Sequence, residues 1–387
     1  MKRDMKKCFG VLIGSLMLAG CTGVGKFVLP PDRYGLNESL QLSQNQQLLL
    51  NVVRLRYGEA PLFLGVGNIT SSFNLSYGSS NSVDYTHQSD QDVSRSIPGV
   101  SVSVGKFLSQ TWNGFVNPSS SYSQSPTIFY TPLQGEAFTT QLFTPLKLDK
   151  YYLLSTASWG LERILKVTVA SIGPYENVIN RFGVNSDDEL EYKKFNEVVH
   201  LLNYSYRKKF ITFSVGKLDQ SFSWDLTINK QSLNEPAIKR LRTLLKIKDI
   251  SRPVRFIHQV SVIKNPALAQ QEQIYPLVTR SLIGIMHYLS TGVEVTSSDV
   301  QRGTVQPLVS HSKEILTGND PLCGVIKIRN SSKQPKNPSI VVHYRNRYYY
   351  IADDDWNSKE TMMMLYELYE LLAGNVNSQQ PLIAVPA

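Results

Sequence analysis

Cysteine is scarce in this chain: three occur among 387 residues, at positions 8, 21 and 323. A framework of disulfides or a four-thiolate metal centre is excluded on that count. Charged residues make up 18% and apolar residues 42%, which is globular composition and excludes a disordered or fibrous chain. Long apolar runs are missing as well. Phe9 to Ala19 is too short for the ~20 residues that a membrane-crossing helix needs, and no later segment reaches that length. No Gly-x-Ser-x-Gly elbow, Walker loop, dinucleotide-binding fingerprint or His-Glu-x-x-His motif occurs. The six histidines, His87, His200, His258, His287, His311 and His343, are isolated from one another and from cysteine at metal-ligand spacing, so they read as surface or structural groups.

What is present begins with the N-terminus. A basic start (Lys2, Arg3, Lys6, Lys7) leads into the apolar run, which ends in Leu18-Ala19-Gly20-Cys21. These parts, in this order, resemble a bacterial lipoprotein signal with its lipobox. The resemblance implies cleavage before Cys21 and lipid attachment to its thiol. Asp after the cysteine favours inner-membrane retention in such proteins; here Thr22 stands there, which implies the outer membrane. Cys8 then leaves with the signal, and Cys323 has no partner for an internal disulfide; Leu322-Cys323-Gly324 reads as buried strand. Of the net charge of +9, the four basic residues against Asp4 account for +3, leaving about +6. That surplus suits an anionic lipid surface, and export argues against a nucleic-acid partner.

The periodicity predicts an α+β fold: an N-terminal helix and strands, a helical middle, and a C-terminal antiparallel sheet packed with a helix. Its regions are a signal peptide (1–20), a lipidated tether rich in Gly and Pro (21–35), a helix with a Ser-rich β region (36–132), a mainly helical region with a hairpin (133–250) and a C-terminal α+β region (251–387). Leu36 to Tyr57 is the first helix, ended by Gly58 and Pro61. Strands are predicted at 69–77, where Phe73, Leu75 and Tyr77 alternate with polar residues, at 98–106 and at 127–130, with a disordered stretch near 79–97. Helices are predicted at 136–142, 149–159, 161–171, 236–248 and 275–289, and from Ser186 to about Tyr204 behind a Ser186/Glu189 capping box. Phe210–Val215 with Ser221–Ile228 reads as a hairpin, and 254–262 as a strand. The C-terminal sheet comprises Cys323–Ile328, Ile340–Tyr344 and Arg347–Ile351, with Arg345-Asn346 as a two-residue turn. A last helix runs from about Asn357 to Leu372.

Several constellations invite a chemical reading. Ser103/Lys106, Ser214/Lys217 and Ser310/Lys313 have the spacing of a Ser-Lys hydrolase. Two of the three lie at strand ends and no Lys-Thr-Gly follows, so no catalytic residue is assigned. Asp353-Asp354-Asp355 has the chemistry for a hard cation, yet three carboxylates before a helix serve its positive end equally well, and no metal or cofactor is expected. Lys239, Arg240, Arg242, Lys246 and Lys248 surround Ile238, Leu241, Leu244 and Leu245, which fits either a headgroup-binding helix or a packed helix with a solvated basic face. Tyr344, Tyr348, Tyr349, Tyr350 and Trp356 suggest an aromatic platform, although consecutive strand residues must point to both faces.

Two segments carry a wider resemblance: Leu48-Leu-Leu-Asn-Val-Val-Arg-Leu-Arg-Tyr57 with Pro61-Leu-Phe-Leu64, and Val342-His-Tyr-Arg-Asn-Arg-Tyr-Tyr-Tyr-Ile351 with Asp355, Lys359 and a helix. Together they resemble a widespread family of uncharacterised bacterial envelope proteins, many with lipoprotein signals. The family brings no known activity, and Arg54, Arg56, Arg345, Arg347, Asp355 and Lys359 read as structural ion pairs. The expectation is a non-enzymatic, periplasm-facing scaffold or binding component of an outer-membrane assembly, held on the membrane by lipid on Cys21 and partnered by other envelope proteins. The alternatives are a subunit of an oligomeric outer-membrane pore built from β-hairpins, or an envelope hydrolase whose site is not visible in the sequence.

Overall fold

The structure is a computed structural model that describes residues 24–80, 117–157, 159–177, 186–218, 221–259, 261, 267, 273–308, 322 and 324–373. Its elements, in chain order, are α1 (Val24–Arg56), β1 (Leu64–Ser80), β2 (Asn117–Pro132), α2 (Glu136–Phe143), α3 (Leu148–Thr156), α4 (Leu161–Thr168), β3 (Val169–Ile172) and β4 (Tyr175–Glu176). There follow α5 (Ser186–Arg207), β5 (Ile211–Leu218), β6 (Ser221–Ile228), α6 (Pro236–Leu244), β7 (Val254–His258), β8 (Ile274–Thr279), α7 (Leu282–Ser290) and α8 (Ser297–Gln301). The last elements are β9 (Arg329–Ser331), β10 (Pro338–Tyr344), β11 (Arg347–Ala352) and α9 (Trp356–Ala373). The class is α+β.

The chain divides into two units, residues 1–63 with 132–378 and residues 64–131 with 379–387. The larger unit is built on a six-stranded sheet in the order β4-β3-β8-β7-β6-β5. Neighbours are antiparallel except β7 and β8, which run parallel. Because β6 pairs with β7, this sheet spans the division expected at 250–251. A second sheet, β10-β11-β9, is antiparallel. Its hairpin turns at Arg345 and Asn346, both at positive φ (48° and 61°), as the two-residue turn requires. The smaller unit contains the ribbon β1-β2, of 17 and 16 residues.

Local chemistry explains several boundaries. Gly58 at φ 73° ends α1, with its N–H donating to Leu55 O and that of Glu59 to Arg54 O, the paired C-terminal cap of a Schellman motif. Pro236 opens α6 at a position where its missing N–H costs nothing. Ser281 caps α7 by accepting from the Gly284 N–H.

Other expectations need correction. The first helix, expected from Leu36, starts at Val24. The run expected as one helix over 161–171 is a helix only to Thr168; β-branched Val167-Thr-Val steers the rest into β3. Residues 275–289 are likewise divided: Ile274–Thr279 is β8, with α7 starting beyond it, because these residues pair on one side with β3 and on the other with β7. Strand 254–262 stops at His258. In the C-terminal sheet the third strand is Arg329–Ser331, while Val325 and Ile326 are buried without strand pairing. Helix α5 buries Val198, Val199 and Leu202 but leaves Leu190 about half exposed. The side chains of the expected Ser186/Glu189 capping box, the strand at 98–106 and residues 81–97 of the expected disordered stretch lie outside the described residues, whereas Ser79 and Ser80 belong to β1.

Candidate functional site

The two segments that carry the family resemblance meet in space. Helix α1 packs on β10, α7 and α9, and Gln46 donates to the Val341 carbonyl at 3.0 Å. At the end of α1 the Tyr57 hydroxyl lies 2.6 Å from that of Tyr349 and 3.0 Å from Asp299 Oδ2. Tyr57 has one proton and gives it to the carboxylate, so Tyr349 is the donor to Tyr57. Asp299 also accepts from Thr296 Oγ1 (2.7 Å) and from Arg302 Nη2 (2.6 Å). Around this chain of hydrogen bonds Tyr57, Tyr344 and Tyr349 stand edge to face. The Arg345 guanidinium covers the Tyr57 ring at 4.8 Å and pairs with Glu59 at 2.9 Å.

The electrostatics fix where the protons sit. Burial, the Tyr349 hydroxyl and the Asp299 charge all raise the Tyr57 phenol far above its usual range. Burial also acts to raise the Asp299 carboxyl, but the hydrogen bonds from Thr296, Arg302 and Tyr57 outweigh it and hold the group below its ordinary value. Tyr344 is pushed up to about 12, chiefly by burial and then by Glu59. Near neutral pH the tyrosines are therefore protonated and Asp299 ionised. General acid–base work needs a group that titrates near the operating pH, so this cluster serves to join chain segments rather than to move protons.

The other polar residues of these two segments make hydrogen bonds and ion pairs. Asn51 Oδ1 accepts from the Leu62 N–H (3.1 Å) while its Nδ2 donates to the Leu62 carbonyl (2.7 Å), fixing the loop beyond α1. Arg54 donates to Asn51 Oδ1 at 3.3 Å. Arg56 is buried and gives Nη1 to the Gln306 carbonyl (2.9 Å); its Nε and Nη2 have no partner among the described residues. Arg347 donates to Asn330 Oδ1. Asp355 accepts from the Ser358 N–H (3.1 Å) and hydroxyl (2.7 Å), capping α9, and Lys359 pairs with Asp353 at 2.8 Å. The three aspartates are thus a helix entrance, and no His/Cys/Asp/Glu cluster fit for a metal occurs among the described residues.

The remaining candidates are dispersed. Ser214 and Lys217 lie in β5, where Ser214 pairs in register with Asp225. Ser103, Lys106, Ser310, Lys313, His87, His311 and all three cysteines, Cys21 included, lie outside the described residues. His258 Nε2 lies 3.0 Å from Thr279 Oγ1, His343 meets the Tyr348 ring, and His200 lies 3.6 Å from Glu162. The aromatic residues do not share a face: Tyr349 is fully buried, whereas Trp356 is two-thirds exposed beside Lys359. In α6, Ile238, Leu241 and Leu244 are buried, and Arg240 pairs with Glu197 at 2.6 Å. Lys239, Arg242, Lys246 and Lys248 line a shallow depression.

One concave site stands out in the larger unit. A cavity of about 680 Å³ is walled by Phe63, Leu133, Phe138, Leu142 and Ile283, with Glu59 and His287 as polar members. Burial lowers the His287 pKa, which keeps the imidazole neutral at physiological pH. Volume and lining suit an apolar group. Sequence reasoning missed Asp299 and this cavity; for the loop at Leu62 that lines it, Asn51, a lone amide in an apolar helical run, was the visible signal.

Comparison of the chain with known protein families, with curated proteins and with solved structures finds no match.

Proposed function

We propose that this chain is a lipid-anchored protein of the bacterial outer membrane, facing the periplasm and acting as a non-enzymatic scaffold or binding component of an envelope assembly. The observation that carries the reading is the lipobox Leu18-Ala19-Gly20-Cys21 at the end of a short apolar run behind a basic start. Helix α1 begins at Val24, directly after the lipid-bearing position, so the anchor leads into the helix that the C-terminal sheet holds. Support for a binding rather than a catalytic role comes from the Tyr57–Asp299 cluster, whose protons are fixed near neutral pH, and from the apolar cavity beside it in sequence at Pro61–Phe63. The test is metabolic labelling with an alkyne fatty acid, with membrane fractionation, of the parent and Cys21→Ala. Label in the parent and none in the variant, which also stays unprocessed, is the expected result. Equal labelling and normal processing of the variant would overturn the reading.

A further inference from the structure

We infer that the β1-β2 ribbon is a dimerisation element, and that the occupant of the outer edge of β1 is the same edge of a second copy of this chain. The starting point is length. Strands of 17 and 16 residues are about three times the usual ~5–6, and a two-stranded ribbon is marginal in water without a third strand. Among the described residues β1 has β2 as its one neighbour.

The two outer edges are not equivalent. Successive residues of an antiparallel strand direct their N–H and C=O groups alternately to either side. The prolines of β2, Pro118, Pro126 and Pro132, all fall at even positions and so at one edge. They cannot interrupt the ladder with β1, so that edge is the outer one. At the foot of the ribbon Leu133, an odd position, donates to the Phe63 carbonyl, in agreement. Proline is a means by which sheets blunt an exposed edge, and β2 carries it. Strand β1 carries no proline, and neither strand contains an Asp, Glu, Lys, Arg or His. Among the described residues one edge is protected and the other is left open.

A second copy fits the open edge for two reasons. A chain that keeps a net charge of about +6 after loss of its basic N-terminus repels itself, and like charges placed opposite one another destabilise a strand pair; β1 provides a seam without charge. The pattern is also self-complementary. Ile69, Phe73, Leu75 and Tyr77 share one parity, while Asn68, Thr70, Asn74 and Ser76 share the other. Two-fold antiparallel pairing centred on Ser72 sets Ile69 opposite Leu75, Thr70 opposite Asn74 and Asn68 opposite Ser76, so parity is kept and each face stays uniform. The product is a four-stranded sheet with a proline-blunted strand at each end, which closes at two copies. A ring of ribbons would instead have to pair the proline edge of β2.

The experiment uses the full-length protein in detergent with Cys323→Ser, and single cysteines at Thr70, Ser72 and Asn74 on β1 or at Ser120 on β2. Directly opposed residues of a hydrogen-bonded pair lie about 5.5 Å apart, within the span of a disulfide at roughly 4.4–6.8 Å. Mild oxidation of Ser72→Cys should double the mass on a non-reducing gel, with no band above the dimer, while Ser120→Cys stays single. Sedimentation of the Cys323→Ser parent should give the dimer mass, and melting should match among variants, which shows that folding is intact. A monomer by sedimentation, with none of the three β1 cysteines coupling, would overturn the proposal. So would a ladder that needs Ser72→Cys and Ser120→Cys together. Fatty-acid labelling at Cys21 is read separately, so failure here leaves the anchoring question untouched.

Discussion

The Tyr57 hydroxyl accepts a hydrogen bond from Tyr349, 292 residues further along the chain, and passes its own proton to Asp299. Removing one hydroxyl leaves buried partners unsatisfied, which costs about 1–3 kcal/mol. Tyr57→Phe should therefore lower the melting temperature by several degrees, and Tyr349→Phe by less, since Tyr57 keeps its bond to Asp299. The double variant should lose less than the sum of the two, with a coupling of at least about 0.5 kcal/mol. Strict additivity in urea melts would show that the two hydroxyls do not act together.

The same cluster sets a response to acid. The Asp299 carboxyl is held below its ordinary value in the fold, so the unfolded chain binds its proton first. Its contribution is complete above the unfolded value of ~3.9 and disappears as pH falls through the folded one. Asp299→Asn should melt lower than the parent at pH 7, and the gap should narrow as pH falls from about 5 to 3. A gap that stays constant across this window would refute the assignment.

Arg280 is a heavily committed cation among the described residues of the larger unit. Its guanidinium donates to the carbonyls of Lys166, Val167, Val169 and Asn177 and lies 3.9 Å over the Tyr288 ring. Burial lowers its pKa, but the negative end of α4 favours the charge. Hydrogen bonds to a charged group contribute roughly 1.5–3 kcal/mol each, so Arg280→Ala should cost at least about 3 kcal/mol. Arg280→Lys should recover only part of this, since an ammonium cannot fork to four carbonyls. Chemical denaturation of both variants gives the measurement, and a Lys variant as stable as the parent would contradict it.

At the hairpin between β10 and β11, Asn346 has φ 61°. A β-branched residue resists that region, at a cost of roughly 1–2 kcal/mol, so Asn346→Val should destabilise while Asn346→Gly should be close to neutral. Asp354, between the capping Asp355 and the paired Asp353, should tolerate Ala within about 0.5 kcal/mol. Thermal melting with and without chelator checks both. A chelator-dependent loss in the parent that Asp354→Ala abolishes would point to a cation at the helix entrance.

What the sequence revealed was local. Gly58, Pro236 and Arg345-Asn346 each act within a few residues, and the helix end, helix start and hairpin turn they mark lie where the sequence placed them. What it hid was pairing over distance. Nothing near Val254–His258 or Ile274–Thr279 says that they lie side by side and parallel, and the apolar run that continues from β8 into α7 reads as one helix. Asp299 had no signal of its own, since its partner Tyr57 is 242 residues away. The two segments Leu48–Tyr57 and Val342–Ile351 could each be read as an element, but not that they touch.

Helix α1 is the first described element of the larger unit to be synthesised and the last to be covered. Its main neighbours, α7, β10 and α9, all follow residue 281. Closing a loop of some 300 residues costs roughly 5 kcal/mol in chain entropy, so nothing early in synthesis holds Leu48, Leu49, Val52 and Val53 out of water. A chain that stops short of α7 keeps that apolar stripe open to chaperones and proteases, and one that stops short of β10 covers it only in part. Only a finished chain hides it, and burial of α1 thus reports that translation has run to its end.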